Sequence, residues 1–302
     1  MGLNRGAIPD LISQDFSKIF DDSVKAESPI YDKIFKLGTS THKYEKMSGA
    51  TGLPLHTVKE EGADAGSGDL KQKYDKTFTH TTYAMISRIT KEAFDDDLSG
   101  QLKKIPKLQG ISARQTIETL AAQIFDRSQT AAYTGPDGKV LCATDHPRAG
   151  DGGTWSNRPT TNVDLSVSAA EDAVIAIKNT EDDWGNPAHL MPRILYIPIE
   201  NINTAIQLTK NQDKAGTANR DVNALMKQGL IGYIVGEYLT DADSWYYLTN
   251  PADRQLMFLW REKINEKTYG APDNTDDAIF RSRFRISLGW VSARGIYGSV
   301  GI

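Results

Sequence analysis

A chain of 302 residues is long enough for one large domain or two intimately joined ones, and its 39 acidic and 35 basic side chains leave a formal net charge of −4. Such near-neutrality argues against a dedicated nucleic-acid binder, whose domains carry a basic excess on one face. Contact with nucleic acid would be weak and general, through local Lys and Arg patches. A single cysteine, Cys142, excludes an internal disulfide and leaves the cytosol as the default compartment.

Met1–Ile12 lacks the basic region and sustained apolar stretch of a signal peptide. The most apolar run, Gly229 to Leu239, is too short to cross a bilayer of about 30 Å and contains Glu237. The chain therefore reads as soluble, with no membrane partner. A hydrophobic fraction of 39% fits a protein with extended parts that cover little surface of their own.

From Pro9 to Val24, Leu11, Ile12, Phe16, Ile19 and Phe20 recur at helical spacing. They predict a short amphipathic helix on an N-terminal arm, docked either on a neighbour or on the chain's own core. Next, Tyr74 to Tyr83 is rich in Thr and aromatics, which predicts one strand. Tyr74, Lys76, Phe78, His80 and Thr82 would lie on one side, with Asp75, Thr77, Thr79, Thr81 and Tyr83 on the other, so neither side is a core face. Lys43 to Glu61 would supply its partner and Glu60 to Asp69 a Gly- and Asp-rich tip. The pattern describes a long polar hairpin over residues 41–88. Isolated hairpins are marginal in water, so it should lie on a neighbouring subunit or stand as an exposed ribbon.

Ser112 with Gln115 has capping-box spacing and predicts a helix starting after Gly110, with Ala113, Ile117, Leu120, Ala121, Ile124 and Phe125 as its apolar stripe to about Thr130. Lys91 to Lys104 is also helix-prone, and Pro106 should kink or break the join. Tyr133 to Pro159 reads as loop around a short strand, Lys139 to Ala143. Ser168 with Glu171 opens another helix carrying Ala170, Ala173, Val174 and Ile177. A buried strand over Arg193–Ile199, a helix with Ile202, Ala205 and Ile206, and strands at Gly229–Leu239 and Ser244–Thr249 complete an α+β unit. The clearest strand comes last: Phe280, Ser282, Phe284, Ile286, Leu288 and Trp290 alternate with Arg281, Arg283, Arg285 and Ser287. Gln255 to Arg261 is its expected partner. The arginines, about 7 Å apart, would pair with acidic groups of a neighbour, touch nucleic acid, or form a solvated face.

No catalytic constellation emerges. Asp145-His146 beside Cys142 lacks further ligands at metal spacing, and His42, His56, His80 and His189 are scattered. His146 reads as a hydrogen-bonded loop residue, and Cys142 as a small buried one. Asp95-Asp96-Asp97 and Glu181-Asp182-Asp183 lack the alternation and glycine of a calcium loop. Gly62, Gly66 and Gly68 do not form a dinucleotide fingerprint. The expectation is no enzyme, no cofactor and no metal.

An arm, a polar hairpin, a long helix, an α+β unit and a return to a helix-backed sheet, in that order, resemble the HK97-type fold of tailed-phage major capsid proteins. Asp137-Gly-Lys-Val-Leu-Cys-Ala-Thr-Asp-His146, continuing through Gly152-Gly-Thr-Trp-Ser-Asn157, is similar to a stretch of Mu-like major head subunits, with Cys142 where that pattern has Phe. Leu195-Tyr-Ile-Pro198 with the Ala205 helix, and Ser244-Trp-Tyr-Tyr-Leu-Thr-Asn-Pro251, resemble elements of the wider capsid family.

The resemblance implies an N-terminal arm at 1–40, an E-loop hairpin at 41–88, a P domain with its spine helix at 89–160 and 251–302, and an A domain at 161–250. It implies an icosahedral shell of pentamers and hexamers around double-stranded DNA, with portal, scaffold and decoration proteins as partners, built in the host cytoplasm and found in the virion. An encapsulin-like shell or a tail tube protein is the alternative. The residues expected at inter-subunit contacts are Leu11, Phe16, Phe20, Tyr74, Phe78 and Tyr83, with Arg281, Arg283 and Arg285 as the charged face.

Overall fold

The computed structural model describes residues 8–26, 28–62, 64–90, 92–93, 96, 100–210, 225, 230, 232–270 and 278–302, the side chains of 8–16, 103, 268–270 and 278 excepted. Helix α1 (Ile8–Lys25) and the single turn α2 (Tyr31–Ile34) precede strands β1 (Lys36–Thr39), β2 (Tyr44–Met47), β3 (Lys76–Thr79) and β4 (Thr81–Ile89). The long helix α3 (Ile105–Asp126), two short strands β5 (His146–Pro147) and β6 (Thr154–Trp155), and helix α4 (Val167–Lys178) follow. Then come β7 (Ile194–Ile197), α5 (Ile202–Thr209), β8 (Gly232–Val235), β9 (Trp245–Leu248), β10 (Leu256–Gly270), β11 (Ala278–Trp290) and β12 (Ile296–Ser299).

Two four-stranded sheets share α3. The first has the order β1-β10-β11-β4 and the second β12-β9-β7-β8, with β2-β3 and β5-β6 as separate ribbons. In α3, Ala113, Ile117, Ala121 and Phe125 are buried. They meet Phe258, Phe284 and Ile286 of the first sheet and Tyr196, Tyr246 and Leu248 of the second. On the far face of the second sheet, Leu195, Ile197, Trp245 and Tyr247 pack against Ala170, Ala173, Val174 and Ile177 of α4 and Ala205 and Leu208 of α5. Alternate side chains of β7 and β9 thus serve two different cores, which is why these short strands read as continuous apolar runs.

The alternation of β11 holds as expected: Phe280, Phe284 and Ile286 are buried while Arg281, Arg283 and Arg285 are half-buried on the other face. Its partner β10 is longer than the expected Gln255–Arg261 and follows β11 from Leu256↔Trp290 to Gly270↔Ala278, with two bulges between Trp260 and Asn265.

Several local expectations are corrected. The helix starts at Ile105, ahead of Ser112, and Pro106 sits in its first turn, where a missing N–H costs nothing. Ser112 lies inside the helix, its carbonyl accepting from Thr116 Oγ1 at 2.8 Å. Gly110 is an interior position and not a helix boundary. A Cβ there would lie 2.9 Å from the Phe20 carbonyl and would also strike Ser23 Oγ, so the glycine lets α1 approach α3 closely. Of Lys91–Lys104, only a short turn at Leu102–Lys104 and parts of 92–101 fall within the described residues. Helix α4 is capped by Ser166, whose Oγ accepts from Ala169 N at 3.2 Å, two residues before the expected Ser168.

Lys139 to Ala143 is not a strand. Leu141 and Cys142 are fully buried, yet Cys142 N donates to Ser128 O and Ala143 N to the Asn157 side chain, each at 2.8 Å. The expected single strand from Tyr74 to Tyr83 breaks at His80: β3 pairs with β2, while β4 pairs with β11. Residues 81–88 therefore belong to the first sheet and not to a projecting hairpin. Finally, β12 pairs with β9, so the last strand closes the edge of the second sheet instead of completing the first.

Two expectations follow for stability. Alanine is ordinarily better than glycine inside a helix by about 1 kcal/mol. Gly110→Ala should nevertheless destabilise the protein, because the added methyl pushes α1 off α3; hydrogen exchange along 17–25 should speed up, and unchanged exchange would contradict this packing. Glu118 is buried and accepts from Ile30 N at 2.7 Å, and burial raises its carboxyl above the ordinary glutamate value of 4.5. A raised carboxylate makes the folded state bind protons more tightly, so stability declines as pH rises from 4.5 through the elevated value. Glu118→Gln should remove that decline, read as a flatter dependence of Tm on pH.

Candidate assembly interface

The hairpin is built in two parts. Its stem pairs Tyr44↔Thr79 through Met47↔Lys76 and continues with Ala50↔Gln72. Asp75 clasps it on the outside, accepting from Lys46 Nζ at 2.7 Å, Ser48 Oγ and Gln72 Nε2 at 3.0 Å. The Lys46 bond is the main reason that its carboxyl falls to about 2.

The stem is also fastened to the body of its own chain. Lys73 Nζ pairs with Asp183, which is nearly fully buried and also accepts from Arg294 NH1 at 2.9 Å. Lys71 Nζ donates to the Gly150 carbonyl at 2.6 Å and lies 5.0 Å above the Trp184 ring. Trp184 Nε1 in turn donates to the Gly52 carbonyl at 2.5 Å. The rest of this acidic run is occupied as well. Arg148 pairs with Glu181, and Asp182 accepts from the Trp184 and Asn186 amides at 2.8 and 2.9 Å. Asp183, Trp184 and the Gly150 carbonyl are thus a latch for the hairpin.

Beyond the latch, residues 53–70 form the tip. Leu53, Leu55, Val58 and Leu70 are all exposed, Val58 to 94%, and so are Glu60, Glu61, Asp64 and Asp69.

The six expected contact residues divide. The side chains of Leu11 and Phe16 lie outside the described residues. Phe20 and Phe78, 0% and 2% exposed, are enclosed within their own chain. For these two the expectation is corrected: their apolar surface is already covered by α3 and by the end of β11. Tyr83 stacks on Phe284 with ring centroids 5.2 Å apart, and Tyr74 remains 38% exposed.

The three arginines do share one open face of the first sheet. Arg283 Nε lies 3.0 Å from Glu262 Oε2, and Arg285 NH2 donates to the His80 carbonyl at 3.5 Å. Opposite them on β4 stand Ile86, Ala84 and Thr82, paired with Arg281, Arg283 and Arg285.

His146 is fully buried at the centre of a knot. Its Nδ1 lies 2.7 Å from Asp137 Oδ2 and its Nε2 3.1 Å from Asn157 Oδ1, while the ring stacks on Trp155 at 4.6 Å. Asn157 Nδ2 donates to the Leu141 carbonyl at 2.8 Å. Among the described residues there is no group of three His, Cys, Asp or Glu able to hold a metal, and no helix is long and apolar enough to cross a membrane. An open groove of about 460 Å³ between β3, α3 and β11 has Lys76 and Arg127 among its lining residues, but no carboxylate, histidine or cysteine. It offers no acid–base pair.

What these surfaces serve is decided by comparison. The model of a family described as phage capsid protein matches residues 73–299. This chain belongs to the phage capsid protein family. The capsid protein is similar in structure to a chain of Microbacterium phage Oxtober96, at 10% identity and a TM-score of 0.58 over 91% of this chain and 92% of that one. It is also similar to the capsid structure of the Cyanophage P-SCSP1u, at 9% identity and a TM-score of 0.57 over 90% and 88%. A virus-like particle from Pyrococcus furiosus matches at 11% identity and a TM-score of 0.52 over 95% and 98%. No curated protein matches the sequence. At such identities these likenesses speak for the fold, an α+β capsid fold of HK97 type, as the order of elements had implied.

The latch was the functional feature that sequence reasoning missed. Lys73 and Asp183 lie too far apart for any periodicity to connect them, and the Asp-Trp-Gly turn was the only local sign. Removing the anion that faces Lys73 and Arg294 leaves two cations around a buried site, a class of change costing about 3–5 kcal/mol. Asp183→Asn should therefore lower the capsid protein's stability markedly. Trp184→Ala should cost less but expose residues 49–73 to limited proteolysis. Equal cleavage in wild type and Trp184→Ala would show that the stem is not held there.

Proposed function

We propose that this capsid protein is the major head subunit of a tailed phage, whose copies assemble as pentamers and hexamers into an icosahedral shell around double-stranded DNA. One observation carries the reading: a hairpin whose stem is latched to a capsid fold while its tip bears exposed Leu53, Leu55 and Val58. A monomer has no use for such a tip, whereas a neighbour would cover it. Many modest contacts of this kind sum through multivalency. Tyr74 and the half-buried Tyr83 would flank the hairpin's contact, and portal, scaffold and decoration proteins would complete a virion head built in the host cytoplasm. The knot of Asp137, His146, Trp155 and Asn157 joins the residues similar to Mu-like head subunits, which supports placing the chain near them.

An encapsulin-like shell is the second reading, favoured by the likeness to the Pyrococcus furiosus virus-like particle across 98% of that chain. A tail tube is disfavoured by the 22-residue α3, since tube proteins are helix-poor.

Sedimentation followed by electron microscopy of the purified protein tests the proposal. Closed particles, or rings of five and six subunits, are expected. A homogeneous monomer or dimer at every salt and concentration, with and without co-expressed scaffold, would overturn it. Particles that package DNA inside an infected host separate the head from a cargo shell. Deleting residues 60–69 should reduce shells far more than soluble monomer; equal loss of both would mean that the tip serves folding.

A further inference from the structure

Both strands of the hairpin leave the body at one place. The first runs from β1, which pairs with β10, into β2; the second runs from β3, paired with β2, into β4, paired with β11. The ribbon β2-β3 shares no strand with the first sheet. Ser40 marks the first crossing and His80 the second, and each is only 5% exposed. At both crossings an arginine of a central strand reaches the backbone. Arg261 NH1 of β10 donates to the Ser40 carbonyl at 3.4 Å, and Arg285 NH2 of β11 to the His80 carbonyl at 3.5 Å. Side chains add a pin at each: Ser40 Oγ donates to Glu45 Oε1 of β2 at 2.6 Å, and His80 Nδ1 lies 3.0 Å from Ser287 Oγ of β11. Two strands that change sheets side by side make a hinge.

His80 Nε2 is buried and has no hydrogen-bond partner among the described residues. A neutral imidazole carries one N–H, and a protonated one carries two. Ser287 Oγ can accept one of them. The other would be a buried cationic N–H without an acceptor, which is a costly state. The charged groups facing the ring add to that cost: Arg285 of β11 and Arg261 of β10 stand against the carboxylate of Glu45 on β2. Burial first, and then Arg285, hold the ring's pKa below the ordinary histidine value of 6.5; Glu45 acts the other way, and Arg261 adds to the fall.

We infer that His80 is a pH-sensitive pin: neutral, it locks the base of the hairpin to the first sheet, and protonated, it leaves its pocket and frees that base. The inference goes beyond the shell reading and concerns a single copy, so it stands or falls without assembly. A ring that binds its proton more weakly in the closed hinge than in water stabilises the closed form above about pH 6.5, and that contribution is lost as pH falls. Glu118 works with the opposite sign, contributing more toward acid, so loosening at the hinge is not a general unfolding. With the latch holding the stem at Lys71 and Lys73, release of the pin loosens residues 40–47 and 76–81 first.

Hydrogen exchange of the full-length protein, corrected for the intrinsic effect of pH, tests the pin. Between about pH 7.5 and about pH 5.5, protection over 40–47 and 76–81 should fall by up to about tenfold, the limit for one ring that titrates near 6.5 when released. Residues 245–248 of the second sheet should keep their protection. His80→Gln, neutral throughout, should abolish the fall. Ser287→Ala should lower protection at the hinge already at neutral pH while keeping the pH dependence. An NMR titration of the wild-type ring should find it protonating below 6.5.

Wild-type protection that ignores pH overturns the inference. An equal fall in His80→Gln does so too, since the response would then belong to another group. If His80→Gln does not fold, the titration decides: a ring that protonates at 6.5 or above overturns the pin, and one that protonates below it, together with the wild-type fall, upholds it.

Discussion

Phe125, without solvent exposure, is where the two sheets become one structure. Its ring meets Tyr196 of β7 at 4.9 Å and Tyr246 of β9 at 5.0 Å, and on the other side it reaches Phe35, just before β1, at 6.3 Å. Edge-to-face rings at such distances add about 0.5–1.5 kcal/mol each beyond the area they bury. Tyr246 OH donates to the Phe125 carbonyl at 2.8 Å, so the last turn of α3 is held by a backbone bond as well as by packing. Burial then raises the Tyr246 hydroxyl far above the ordinary tyrosine range, keeping it a neutral donor. Everything that the surfaces present depends on this junction, because β11 and β7 have no other shared neighbour as central as α3.

The hairpin shows how burial changes the worth of an ion pair. Asp75 and Lys46 lie at the surface, where water and salt screen such a pair and leave it little weight. Asp183 is nearly enclosed and faces both Lys73 and Arg294, so its loss leaves charges that water does not screen. The buried pair positions the stem, and the exposed pair trims its strands. Fixing the stem in advance also lowers the ordering cost of any contact that the tip makes, since only the tip has to lose freedom.

The fold's outline was legible wherever the two faces of an element differ in polarity. In β11 arginines alternate with aromatics, and in α3 one stripe is apolar, so both could be read directly. Their ends were less legible. Pro106 and Gly110 look like punctuation, but one suits the first turn and the other admits α1, a packing reason that no local pattern displays. The break at His80 was hidden for a similar cause: the Thr-rich run continues across it in composition, and only the Ser287 hydroxyl beside His80 Nδ1, at 3.0 Å, marks the change of sheet. Phe20 and Phe78 had the right chemistry for contact, yet the chain's own core covers them. The arginine face was legible as a face. The first sheet itself joins distant parts of the chain. Strand β1 runs parallel to β10, from Lys36↔Met257 to Thr39↔Trp260, and β4 closes the other side on β11. Its edge strands come from the first third of the chain and its centre from the last sixth. Closing so long a loop must precede any reward from the contacts, which makes such topologies slow to fold. Until β10 and β11 arrive, Phe35 and the inner side of β4 have no sheet to cover them, and newly made chains are open to premature association. Subunit maturation would then be timed by the pairing of distant strands, and the arginine face would come into being only with the sheet that carries it.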